Sequence, residues 1–229
     1  MTKSCLISIL VSLVSLTASW GQAKGTQITE TDSTVTLRNS KVRVEFPKGG
    51  AFDISKLTLS GKELILGKGY NTVPWTLTYK GPQGENPVLF PSHGEYAGWS
   101  KGTKNGNTAI VFKWNMRLTY NDLVPVVMTV SVPDDSELVY WDIQAGTPEG
   151  WLISSTQFPR ITVTRPDDAK LITSAGWGAE YNLKNPQVYA SSYPSVTGSM
   201  QLLLLHNSDG SVYYATEDKE ACGKDFRAA

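Results

Sequence analysis

From Thr34 onward the chain alternates short apolar runs with turn residues about every ten positions, and this rhythm narrows the fold more than any other feature. Val35 and Leu37, then Val42, Val44 and Phe46, are apolar at every second position, with Asn39-Ser40 between them. That pattern predicts a hairpin, closed by Lys48-Gly49-Gly50. Residues 52–59 and 63–66 predict the next pair, turning at Ser60-Gly61, and 76–79 a short strand. Residues 80–107 predict a long irregular loop with a Lys-Gly-Thr-Lys-Asn-Gly-Asn tip and 88–90 as an embedded strand candidate. Strands are predicted at 108–114, 116–120, 126–132 and 138–143, continuing through 151–157 and 161–164. Gly/Asn/Pro-rich loops fill 165–197 ahead of final strands at 200–206 and 211–216. No stretch longer than one turn has helical periodicity. The chain is therefore expected to be all-β, an antiparallel sandwich or barrel.

The first residues read as an address label. Lys3 supplies a positive start, and residues 5–16 form an apolar run of 12, too short to span a bilayer. Small residues follow, so 1–23 is expected to be a signal peptide, cleaved after Gly21 or Ala23. Cys5 lies inside the apolar run with no lipoprotein-type cleavage site near it. A secreted or periplasmic protein follows, without a membrane anchor after cleavage. About 205 residues remain, and 26–229 is expected to fold as one domain with a core large enough to need no staples. Loss of Cys5 leaves Cys222 alone, so the mature chain has no intramolecular disulfide. Glu217, Asp218 and Glu220 precede Cys222 and disfavour its thiolate, which argues against a catalytic thiol.

Charge restricts the partners. Basic and acidic residues number 21 each. There is no basic face for nucleic acid and no polybasic run for anionic lipid. A neutral partner such as a glycan is compatible.

Catalytic chemistry finds little support. Sugar-ring opening needs a base and an acid facing one pocket. Only His93 and His206 are available: His93 sits in the predicted long loop beside Glu95, Tyr96 and Trp99, and His206 flanks the turn Asn207-Ser208-Asp209-Gly210. Glycoside hydrolysis needs two carboxylates about 5–10 Å apart. Asp134-Asp135 and Asp167-Asp168 stand beside prolines as turn residues, and Asp142 alternates outward between Trp141 and Ile143. No nucleophile elbow, Cys/His metal spacing or phosphate-binding glycine loop is present. No catalytic residue, metal ligand or cofactor is therefore assigned. Sugar contact is better served, because pyranose faces stack on aromatic rings. Trp75, Trp99, Trp177, Tyr181 and Tyr193 are candidates, whereas Trp114 and Trp141 fall in regular strands and read as core. Trp177, between Gly176 and Gly178, is the foremost candidate, though such a tryptophan could equally plug the end of a sandwich.

Three passages carry a family resemblance. They are Leu37-Arg38-Asn39 through Phe46 with Gly50-Ala51-Phe52; Gln157-Phe158-Pro159-Arg160 leading to Gly176-Trp177-Gly178; and Tyr193-Pro194, Ser199-Met200-Gln201, then 212–218 and Lys224. In this order they resemble the N-terminal galactose-mutarotase-like supersandwich domain of secreted bacterial glycoside-hydrolase-like proteins, over about 34–226. The resemblance implies a supersandwich incomplete at its C-terminal end, an accessory domain that supports a catalytic barrel and its substrate cleft. It implies that Trp177, Tyr193 and Asp218 contact that barrel and not sugar; read from the residues alone, Trp177, Tyr193, Trp99, His93 and Tyr181 stay candidates for direct glycan contact. A free carbohydrate-binding module and a small aldose epimerase remain the alternatives; the motifs around the epimerase histidines are not visible.

Overall fold

A computed structural model describes residues 25–49, 54–59, 62–64, 73–120, 122–161, 167–183, 189–195, 198–208, 210–217 and 223–228. The expected leader, the Ser60-Gly61 turn, Asp218 and Cys222 lie outside the described residues. The chain divides into two compact units, Met1–Leu64 with Tyr70–Ile161, and Ile65–Gly69 with Thr162–Ala229. Among the described residues every strand pair is antiparallel.

The first unit opens with a five-stranded meander of β1 (Gln27–Glu30), β2 (Thr34–Arg38), β3 (Val42–Pro47), β4 (Lys56–Leu59) and β5 (Lys62–Leu64). β6 (Thr76–Lys80) and β7 (Val88–Leu89) follow, then a 3-10 turn at Pro91–His93. β8 (Gly94–Lys104), β9 (Asn107–Arg117), β10 (Leu123–Val132) and β11 (Tyr140–Ala145) form a second meander, and β12 (Leu152–Gln157) pairs with β6 beside β7. The predicted β2–β3 hairpin is present, with Arg38 opposite Arg43. Its period-two pattern does the expected work: Val42, Val44 and Phe46 are buried, while Arg43 and Glu45 between them are less so.

Asn39 holds the turn. Its Oδ1 accepts from the Lys41 and Val42 amides, both at 2.8 Å. Its Nδ2 donates to the Pro133 and Ser136 carbonyls, also at 2.8 Å. One side chain thus ties the β2–β3 turn to the connection between β10 and β11.

Aromatic side chains fill the space between these sheets. Phe46 on β3 meets Phe112 on β9 edge-on at 5.0 Å and Trp141 on β11 at 5.9 Å. Trp75, just before β6, meets Trp114 on β9 at 5.5 Å. Both tryptophans are buried, so Trp75 is a core residue and its candidacy as a sugar contact is withdrawn. Trp114 is core as expected.

Two strand predictions in this unit need correcting. Residues 108–114 and 116–120 are not two strands: β9 runs unbroken to Arg117, with Ile110, Phe112, Trp114 and Met116 inward and Asn115 simply one of its outward positions. The predicted loop at 80–107 contains β8, eleven residues long and paired with β9. Asn105 (φ 51°) and Gly106 (φ 81°) make the two-residue connection, which requires positive φ at both positions.

The second unit contains β13 (Lys170–Thr173), β14 (Ala179–Asn182), β15 (Tyr189–Tyr193), β16 (Leu202–Asn207), β17 (Gly210–Ala215) and β18 (Lys224–Ala228). Its sheets run β14-β13-β16-β17 and β15-β18. Thus 165–197, expected to be loops, contains three strands, each only four or five residues long. Ala169, Leu171 and Leu183 form its buried centre, with Tyr181, Tyr189, Leu203 and Leu205 packed against them.

Candidate functional site

The connection from β13 to β14 carries Trp177, whose side chain is fully exposed. Gly176 (φ 57°) and Gly178 (φ 106°) adopt backbone angles that favour glycine, and a Cβ at either would meet nothing within 4 Å. The glycines are therefore demanded by backbone conformation, not by crowding, and they leave the indole without neighbouring side chains in sequence. The turn is braced. The Gly178 amide donates to the Ala175 carbonyl at 2.9 Å. The Ser199 amide and hydroxyl both donate to the Ser174 carbonyl, at 3.1 and 3.0 Å. The Ser174 hydroxyl donates to the Met200 carbonyl at 2.7 Å. Among the described residues Trp177 projects outward and does not plug a sheet end.

The other predicted contacts fall in different settings. Tyr193 ends β15, half-buried, opposite Lys224 and before a cis bond to Pro194. The chain then runs through the Ser195–Gly198 bridge to Ser199, which braces the Trp177 turn. Tyr181 is a packing residue: its ring lies 4.8 Å from that of Tyr189, over the Leu171 and Leu183 centre. Trp99 belongs to the first unit, half-buried on β8, with the Lys48 ammonium 5.9 Å from its ring centre. Lys48 also pairs with Glu30 at 2.7 Å and holds that carboxyl below its ordinary range, first by hydrogen bonding and then by charge. The His93 ring lies against that of Phe90, tilted by 43°, and places Nδ1 3.2 Å from the Val88 carbonyl.

Several carboxylates have structural work. Asp134 accepts from the Thr26 amide at 2.8 Å. Asp135 pairs with Lys41, and Asp142 with Lys104, each at 3.0 Å. Glu180 pairs with Lys170 at 2.7 Å, and that hydrogen bond lowers its pKa. Asp168 accepts from the Ser208 amide at 2.9 Å, and its bonds to Ser208 lower its pKa. His206 adds a smaller lowering to both carboxyls. This grouping of His206, Asp168, Lys170 and Glu180 escaped the sequence reading, because cross-strand register and not sequence spacing assembles it: Lys170 lies opposite His206. Among the described residues no three His, Cys, Asp or Glu side chains converge to hold a metal.

The described strands make a β-rich chain in which Trp177 is held out to solvent. No family model matches the chain. A known protein offers a point of comparison: the chain is similar to part of a protein named as a glycoside hydrolase. The relative is a Bacteroides thetaiotaomicron protein named "Putative glycoside hydrolase", 41% identical over 191 residues. The match covers 83% of this chain and 28% of the relative, so the chain spans just over a quarter of that protein's length.

Proposed function

We propose that this chain is a secreted, non-catalytic β-sandwich accessory domain of a carbohydrate-active enzyme, of the galactose-mutarotase-like kind. It supports a catalytic barrel and shapes that barrel's substrate cleft. The observation that carries the proposal is the match itself: most of this chain corresponds to a minor part of a glycoside-hydrolase-like protein, leaving the larger part of the relative for other work. The sandwich reading draws on the first unit, where Phe46, Phe112 and Trp141 join the inward faces of two antiparallel meanders.

The test is an activity assay on purified residues 26–229 with aryl glycosides, starch, xylan, mixed-linkage β-glucan and galactomannan. The isolated chain should release no sugar, and the longer polypeptide of the same gene should hydrolyse at least one substrate. Hydrolysis by the isolated chain would overturn the proposal.

A further inference from the structure

We infer that Trp177 is a stacking platform for one pyranose ring of a neutral glycan. The inference rests on the glycoside-hydrolase-like reading and names the ligand class of its exposed aromatic.

Three observations lead there. The indole is fully exposed, an unusual state for the side chain with the most apolar surface to hide. The fold also holds it out: two positive-φ glycines set the turn, and Ser174 and Ser199 tie that turn to the segment at Met200. A mobile tryptophan would lose freedom on binding, whereas a braced turn has already given up its backbone freedom. Finally, the glycines flank the ring with no side chains of their own, which leaves room for a flat ligand.

Area discriminates between a sugar and a protein partner. A stable protein interface needs about 800 Å² from each side. A tryptophan offers at most about 250 Å². Met200, about half exposed, adds little, and Tyr213, the other exposed large apolar side chain among the described residues of this unit, lies on β17 at the far edge of the sheet from β14. One sugar ring needs only one aromatic face. The balanced charge of the chain adds no demand for a charged ligand.

The experiment is affinity electrophoresis of residues 26–229 through gels containing soluble starch, xylan, mixed-linkage β-glucan or galactomannan, with Trp177→Ala and Trp177→Tyr alongside. Full exposure makes Trp177→Ala safe for folding, which far-ultraviolet circular dichroism verifies. The chain should be retarded by at least one polysaccharide, Trp177→Ala should bind it about tenfold more weakly or worse, and Trp177→Tyr should recover most of that loss. Equal retardation of Trp177→Ala and the parent would overturn the inference, as would no retardation by any of the four polymers. Either failure leaves the accessory-domain proposal standing; sugar release by the isolated chain would defeat that proposal whatever Trp177 does.

Discussion

Asn39→Ala should destabilise the chain by about 3 kcal/mol. The structure gives Asn39 four side-chain hydrogen bonds, all at 2.8 Å, two to amides of its own turn and two to carbonyls about a hundred residues away. Each such bond is worth about 0.5–1.5 kcal/mol net, and partly buried partners left unmade add to the loss. With a urea m-value of about 2 kcal/mol/M, the midpoint should fall by about 1.5 M. Asn39→Asp separates the two halves of the joint. Its carboxylate still accepts from the Lys41 and Val42 amides, but it faces the Pro133 and Ser136 carbonyls with oxygen where nitrogen donated. The turn should survive while the long-range tie is lost, at a cost of about 2 kcal/mol. The assay is equilibrium urea unfolding of residues 26–229 followed by tryptophan fluorescence. A midpoint for Asn39→Ala within about 0.3 M of the parent, on the same m-value scale, would refute the reasoning.

Other perturbations give equally definite outcomes. Gly106→Val forces a β-branched residue to φ 81° and should cost about 2 kcal/mol, lowering Tm by about 6 °C; an unchanged melt would count against the tight β8–β9 turn. The Glu30 and Glu180 carboxyls have folded pKa values below the ordinary 4.5, so their contribution is present above that pH and lost as pH falls through the folded values. Removing their partners in Lys48→Met/Lys170→Met should make the fall of the urea midpoint below about pH 4.5 measurably shallower than in the parent, and parallel curves would contradict the pairing. Burial raises the Tyr96 hydroxyl to about 12 and also lifts Tyr79 and Tyr214, so ultraviolet titration of Tyr96→Phe should show one phenol fewer ionising above the ordinary 10 than the parent does.

What the sequence discloses depends on whether a residue's fate is local. The β2–β3 hairpin is legible because Asn39, the alternation around it and the inward Val44 and Phe46 all fall within a dozen residues. The β8–β9 hairpin is written as plainly at Asn105-Gly106, yet β8 itself is disguised. It is an edge strand, carrying Gly94, Gly98 and Gly102 and mostly half-exposed positions in place of an apolar alternation. The short strands β13 and β15 draw pairing from distant partners, β16 and β18, and β14 pairs with the four-residue β13, so local pattern hides all three.

The site residues divide in the same way. The glycines beside Trp177 announce an unusual backbone, and the exposed turn follows from them. Trp75 and Tyr181 carry no such mark. Trp75 is packed by Trp114, 39 positions later, and Tyr181 by Tyr189 and the cluster of Ala169, Leu171 and Leu183, contacts that only the folded chain reveals. His206 likewise reads as a turn neighbour in sequence, while the structure sets it opposite Lys170, close to Asp168 and Glu180.

The most direct test of the central claim is to sequence the gene past the codon for Ala229. An accessory domain of a larger glycoside-hydrolase-like protein predicts a frame that continues for several hundred residues of alternating strand and helix patterns, with the catalytic carboxylates among them. A stop codon immediately after Ala229 would contradict it.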